Sequence, residues 1–182
     1  MRPRVWLKLM TETRATLSLS PPFGYELCVR RLRKEESDKF DLSAWRVAGV
    51  GAETIRPEPL AQFAEMLAPS NFDKNAFLAC YGMAECSLAV SLAPLAQGLE
   101  VDCVDGEHLA EHQEALPVNG GNGTSAVRSN LFVNCGVPLP DYEVEVRGKH
   151  GRALAERRCG TLFVRGPSVM SGYFGDPEAT QQ

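Results

Sequence analysis

Cys80-Tyr81-Gly82-Met83-Ala84-Glu85 follows the short apolar run Phe77-Leu78-Ala79 and opens into Ser87-Leu88-Ala89-Val90-Ser91-Leu92-Ala93. That order predicts a buried strand, a glycine turn and then a helix, with a tyrosine and a carboxylate held at the turn. Gly82 lets the backbone bend and lets a flat ligand come close. Glu85 stands where the helix is expected to begin, a position in which a carboxylate also complements the helix dipole.

A second turn of the same kind lies upstream. Val47-Ala48-Gly49-Val50 reads as a strand, Gly51-Ala52-Glu53 as its turn, and a helix is expected from Pro57-Glu58 to Leu67. A proline in the first turn of a helix is unstrained, which supports that start. Strands alternating with helices argue for α/β layering around a mainly parallel sheet. In such a sheet both turns fall at the carboxyl ends of their strands, the edge where these folds bind ligands. A planar base could slide between the Gly51-Ala52-Glu53 backbone and the Tyr81 ring. Glu85 could then hold a Mg²⁺, which takes one or two carboxylates and leaves its other positions to water and phosphate.

The rest of the chain is consistent with one domain, or one domain and part of another. It has 182 residues, of which 44% are hydrophobic and 23% charged, as in ordinary globular proteins. No apolar run reaches membrane-spanning length, and the basic start Met1-Arg2-Pro3-Arg4 has too short an apolar core for a signal peptide. A cytoplasmic location is the resulting expectation. The six cysteines show no metal-finger spacing, and most lie among apolar or small residues, as packed reduced thiols do. Charge is uneven: residues 1–34 carry eight Lys/Arg against Glu12 and Glu26, within a net charge of -4. The basic run Arg30-Arg31-Leu32-Arg33-Lys34 closes an expected helix and is followed by Glu35-Glu36, so it complements a dipole rather than marking a nucleic-acid surface.

Val5, Leu7, Leu9 and Met10 suggest a first helix ending near Arg14, Ala15–Ser20 alternates like a strand, and a helix is expected from Phe23 to Arg30. Asp41 is a candidate cap for a short turn through Trp45. Beyond Leu99 the character changes. A strand over 99–104 and a short acidic helix with Glu107, Leu109 and Glu111 precede a Gly/Ser/Thr-rich loop over 117–125. Three further strands are expected, at Leu131–Asn134, Tyr142–Arg147 and Thr161–Arg165, with a hairpin-like turn at Gly148-Lys149-His150-Gly151. The chain is thus expected to cross from an α/β subdomain (1–130) into an antiparallel β-rich subdomain (131–182).

Other constellations carry less. Gly49-x-Gly51 lacks the third glycine of a dinucleotide fingerprint, and the 120–125 loop has no lysine and matches no phosphate-cradling pattern. His108 and His112 stand four apart on the expected acidic helix, but no third zinc ligand is evident, and a solvated face is the simpler reading.

Five blocks in order resemble the fatty acyl-AMP ligases, a branch of the adenylate-forming superfamily that includes acyl-CoA synthetases. They are Ser20–Cys28, Trp45–Glu53 with Ile55-Arg56-Pro57, Cys80–Glu85, Cys135–Pro140 and Gly160–Phe174. Ala84, where the wider superfamily places Thr or Ser, and the long 98–130 stretch resemble the acyl-AMP ligase branch and its insertion. The resemblance implies a Mg²⁺-dependent attack of a fatty acid carboxylate on ATP, giving acyl-adenylate, then transfer to an acyl carrier protein or a polyketide/peptide synthase module. It also implies site roles. Gly51, Ala52 and Glu53, with Cys80, Tyr81, Gly82, Met83 and Ala84, would bind ATP/AMP. Glu85 would be the catalytic and metal-facing residue, and Phe23 and Tyr25 would lie near the acyl chain. Gly166 and Gly172 would be structural.

The family's chemistry also needs a phosphate-binding loop, a ribose-binding aspartate and a C-terminal domain with a lysine, none of which is in these 182 residues. Without the phosphate-binding loop and the lysine the main electrostatic stabilisation of the transition state is missing. The expectation is therefore a fragment that is inactive alone, with bare sheet edges prone to self-association. A fragment of a general acyl-CoA ligase and a non-catalytic interaction module are the alternatives.

Overall fold

Three strands in parallel register organise the first part of the chain. In the computed structural model, which describes residues 2–118 and 128–181 with only the backbone of Lys34, these are β1 (Leu17–Ser20), β2 (Val47–Val50) and β3 (Phe77–Gly82). Leu17 pairs with Val47 and Ser20 with Val50; Ala48 pairs with Phe77 and Val50 with Ala79. Parallel neighbours require crossovers, and helices supply them: α2 (Pro22–Arg31) between β1 and β2, and α3 (Pro57–Leu67) between β2 and β3. A further helix, α1 (Pro3–Thr13), precedes β1.

Each helix follows from its sequence. All have proline in the first turn, where the missing N–H costs nothing. In α3 the buried residues are Leu60, Phe63, Ala64 and Leu67, the i, i+3, i+4, i+7 stripe of a core-facing helix. α1 buries Leu7 and Met10 and stops at Arg14, which takes a left-handed conformation and returns its N–H to Thr11 O. The turn expected at Asp41 is present, with the Ser43 N–H donating to Asp41 Oδ1 at 3.1 Å.

The core between sheet and helices is aromatic. Tyr25, Phe63, Phe72, Phe77, Trp6 and Trp45 meet mostly edge to face, with centroid separations such as 5.1 Å for Tyr25–Phe63 and 5.0 Å for Phe63–Phe72. Such pairs add about 0.5–1.5 kcal/mol each beyond the area they bury. The polar tips are satisfied: Trp6 Nε1 donates to Ser18 Oγ at 3.0 Å and Trp45 Nε1 to Val47 O at 2.8 Å.

The chain divides into two compact units that interleave along the sequence: Met1–Cys80, Leu92–Asp102 and Leu131–Gly136 form one, and Tyr81–Ser91, Cys103–Asn130 and Val137–Gln182 the other. The strand expected from residue 99 is β5 (Val101–Asp105), after β4 (Ala89–Leu92), and the acidic helix is α4 (Gly106–His112). Asp105 caps α4, accepting from the N–H groups of Glu107 at 2.9 Å and His108 at 3.0 Å. Next come β6 (Ser129–Val133), β7 (Val137–Pro138), β8 (Glu143–Arg147), β9 (Thr161–Arg165) and α5 (Pro177–Gln181). β8 and β9 pair antiparallel from Glu143–Arg165 to Arg147–Thr161, as the sequence predicts for the last third. Within the first unit β1, β2 and β3 lie in that order in a parallel sheet, and within the second β8 and β9 form an antiparallel pair. The fold is α/β with a mainly parallel sheet. Most of the loop expected at 117–125 lies outside the described residues.

One expectation fails. No helix follows Glu85: Ala84–Cys86 makes a single 3-10 turn and the chain goes straight into the strand Ala89–Leu92. The cause is Ser87, at φ 66° and ψ -51°, with the Leu88 N–H bonded to Cys86 O at 2.8 Å. That is a γ-turn of positive φ, which reverses the chain before a second helical turn can form.

Candidate nucleotide-binding turns

The first turn leaves β2 at Val50 and runs through Gly51, Ala52 and Glu53. Gly51 lies against the neighbouring strand so tightly that a Cβ there would be 2.5 Å from Cys80 O and 2.7 Å from Cys80 Sγ. Cys80 in turn directs its thiol at Val50 O, 3.3 Å away. The ends of the two strands are therefore joined backbone to backbone, and only glycine fits. Ala52 takes φ 69°, a left-handed conformation that is strained for an alanine. Glu53 reaches back to α2, where its Oε1 accepts from the Phe23 N–H at 3.1 Å. A carboxylate on the first N–H groups of a helix satisfies an orphan donor and complements the dipole.

Phe23 and Tyr25, paired in the sequence reading, have different surroundings. The Phe23 ring is 51% exposed, whereas Tyr25 is fully buried and its hydroxyl donates to Gly49 O at 2.9 Å. Burial pushes the Tyr25 phenol far above its ordinary range, so it is neutral at every physiological pH.

The second turn is Tyr81–Leu88, taken within its own unit. The Tyr81 ring is exposed, and Gly82 is pinned by the chain itself: a Cβ there would stand 1.7 Å from Leu88 O. What approaches Gly82 closely is thus the returning backbone of its own loop. Met83 is extended and leads into the Ala84–Cys86 turn that carries Glu85.

A strap from Ser168 to Tyr173 grips this turn. The Met170 N–H donates to Glu85 O at 2.7 Å, and Ser168 Oγ donates to Cys86 O at 2.6 Å. Tyr142 hydrogen-bonds Ser168 Oγ through its hydroxyl, and the Tyr173 hydroxyl donates to Glu85 Oε1 at 2.5 Å. The Tyr173 hydrogen bond, assisted by a backbone N–H, holds the Glu85 carboxyl below the usual carboxylate range, and the same bond raises the Tyr173 phenol. The sequence reading gave Gly166 and Gly172 a structural role and named neither Ser168 nor Tyr173 as a site residue; their partners Cys86 and Glu85 lie 82 and 88 residues away, separations that leave no local pattern.

His108 and His112 stand with ring centroids 4.3 Å apart, and among the described residues no group of three or more His, Cys, Asp or Glu is arranged to hold a metal ion.

Comparison with known proteins places the chain in a family. The AMP-binding enzyme family matches residues 1–174. A Caulobacter vibrioides protein named as an acyl-CoA synthetase is 46% identical over 179 residues, 98% of this chain and 31% of that protein. A medium-chain-fatty-acid–[acyl-carrier-protein] ligase of Moorena producens is 32% identical over 183 residues, all of this chain and 30% of the ligase. Among solved structures, one from studies of the fatty acyl-adenylate ligases of E. coli and L. pneumophila superposes with a TM-score of 0.91 at 46% identity, covering all of this chain and 32% of that one. The L. pneumophila fatty acyl-adenylate ligase in complex with acyl adenylate and pyrophosphate has a TM-score of 0.89 at 31% identity, over 98% of this chain and 30% of its own. The chain spans about a third of the length of the curated relatives it matches. With nearly its whole length matched and its fold shared, the chain belongs to the AMP-binding enzyme family.

Proposed function

We propose that this chain is the central part of a fatty acyl-AMP ligase, which activates a fatty acid with ATP as acyl-adenylate and passes the acyl group to an acyl carrier protein. The observation that carries the reading is the β2–β3 register: Val50 pairs with Ala79, and Gly51 lies on Cys80. Gly51 thus leaves β2 against the carboxyl end of its parallel neighbour β3, at the edge where α/β sheets bind ligands.

Gly51, Ala52 and Glu53 and the run Cys80, Tyr81, Gly82, Met83, Ala84 contribute to binding ATP and AMP, with the exposed Tyr81 ring as the aromatic surface for the base. Glu85 faces Mg²⁺, which when bound neutralises phosphate charge. Phe23 offers an exposed apolar ring to the acyl chain, and Tyr25 supports the same helix from the core. The reaction's ATP and carrier-protein acceptor fit a cytoplasmic enzyme, and among the described residues no helix is long and apolar enough to cross a membrane. Residues 1–130 and 131–182 correspond to an α/β subdomain and the start of a small β-rich one. Leu17 and Leu19, 55% and 60% exposed on β1, support self-association of the isolated chain.

A second reading is favoured by the relative named as an acyl-CoA synthetase. In that case coenzyme A, not a carrier protein, is the acceptor. The two are separated by offering both acceptors to an enzyme that contains this chain. The site itself is tested by titrating the isotope-labelled 182-residue chain with Mg²⁺ and AMP. Amide shifts concentrated at 51–53 and 80–85 are expected, and shifts absent there overturn the reading. Pyrophosphate exchange driven by a fatty acid is expected to be undetectable with the 182-residue chain alone.

A further inference from the structure

We propose that Tyr173 is the positioning residue of Glu85, holding one carboxylate oxygen so that the other is presented in a fixed direction to a divalent cation. This rests on the reading of Glu85 as metal-facing, and it assigns to the strap a role beyond framing.

The geometry is two-layered. The main chain at Glu85 and Cys86 is fixed by Met170 N–H to Glu85 O at 2.7 Å and by Ser168 Oγ to Cys86 O at 2.6 Å. The side chain is then fixed by Tyr173, whose hydroxyl reaches Glu85 Oε1 at 2.5 Å. Tyr173 is itself anchored, since its N–H donates to Thr180 Oγ1 at 2.9 Å. The residue before it is a glycine at φ 152°, where a Cβ would be 2.5 Å from Thr180 Cγ2. The phenol is thus delivered by a backbone with little freedom.

A phenol has one proton to give. Spent on Oε1, it leaves the lone pairs of Oε2 for a cation. A glutamate free to rotate loses much of its rotamer freedom when it binds, whereas one already held loses less. Because the pair is solvent-accessible, the gain is modest: about three- to tenfold in cation affinity, the scale of one charge-assisted hydrogen bond discounted for solvent. Phenylalanine at this position keeps the ring and removes only the hydroxyl, so Tyr173→Phe isolates the bond.

The test uses the labelled 182-residue chain and two readouts. Three-bond couplings about the Glu85 side-chain torsions report rotamer order without any metal. A single rotamer is expected in the parent chain and averaged couplings in Tyr173→Phe; averaged couplings in the parent, or unchanged order in the variant, overturn the positioning role. Mn²⁺ with AMP, followed by paramagnetic broadening, gives the affinity. A dissociation constant about three- to tenfold higher in Tyr173→Phe is expected, and an equal one overturns the proposal. Ordered couplings in the parent that are lost in the variant, with no broadening at Glu85 in either, would sink the metal-facing reading while upholding the Tyr173–Glu85 link.

Discussion

The hydroxyl of Tyr25 donates to the carbonyl oxygen of Gly49 at 2.9 Å, tying the middle of α2 to the central strand β2 from inside the core. Tyr25 packs against Trp6, Phe63 and Phe77 at centroid distances of 5.3, 5.1 and 5.4 Å and against Trp45 at 6.4 Å. Tyr25→Phe keeps the ring packing and removes the donor. The cost is about 1–2 kcal/mol, the value of one buried hydrogen bond with its acceptor left unserved. Urea denaturation of both chains measures it, as a shift in midpoint at unchanged slope.

Cys28, one turn further along α2, makes stability depend on alkaline pH. Burial pushes its thiol up to about 12. An unfolded thiol loses its proton near pH 8.5. Above that pH the unfolded state gives up a proton that the folded state retains, so folding loses stability until the folded thiol ionises as well. The contribution is fully present below about pH 8.5 and declines at up to about 1.4 kcal/mol per pH unit towards pH 12. Cys28→Ala is expected to flatten the stability profile between pH 8.5 and 10, although it lowers stability at pH 7 by opening a small cavity. Equal slopes in the two chains over that interval would contradict the assignment.

Gly82 carries a prediction about the shape of the candidate site rather than its chemistry. A methyl group there collides with Leu88 O at 1.7 Å, and the obstacle is backbone, which cannot swing aside. Gly82→Ala is expected to cost about 2–4 kcal/mol and to open the 82–88 loop. Gly151→Ala is the comparison: nothing lies within 4 Å of its Cβ, and only its φ of 70° opposes the change. About 1 kcal/mol is expected there. Thermal melting of the two variants ranks them.

The same loop marks the boundary of what local sequence reading can reach. α3 was legible because its buried positions recur at helical spacing, and β8 because apolar and charged residues alternate along Glu143-Val144-Glu145-Val146-Arg147, with proline and glycine punctuating the ends. The run Ser87-Leu88-Ala89-Val90-Ser91-Leu92 is apolar without a clear period, and a short run of that kind suits a helix or a strand equally. Here the decision lies with Ser87, whose positive φ turns the chain back where Leu88 O closes on Gly82. Identities at the candidate site were legible, since Gly51, Tyr81 and Glu85 sit in distinctive turns. Their partners were not. Glu53 finds the Phe23 N–H thirty residues back, and Glu85 finds Tyr173 eighty-eight residues on, separations across which periodicity carries no information.

Glu53 is where structural and binding roles can be separated by substitution. Its carboxylate accepts from the Phe23 N–H at 3.1 Å, so it acts as a cap for α2 from a distant loop. Losing a capping acceptor and its charge near a helix start costs about 0.5–1 kcal/mol. Glu53→Ala removes both; Glu53→Gln keeps an oxygen acceptor and removes the charge. If capping is the whole contribution of the side chain, Glu53→Gln loses less stability than Glu53→Ala, and both bind AMP as the parent does, because the main chain of 51–53 is what the nucleotide meets. If the charge also orders the turn, added salt narrows the stability gap between parent and Glu53→Gln, since screening weakens a carboxylate–dipole contact at the surface. Melting temperatures at low and high salt, with AMP titrations of all three chains, decide between these outcomes. A fall in AMP affinity of tenfold or more in Glu53→Gln without loss of stability would instead assign the carboxylate itself to the nucleotide.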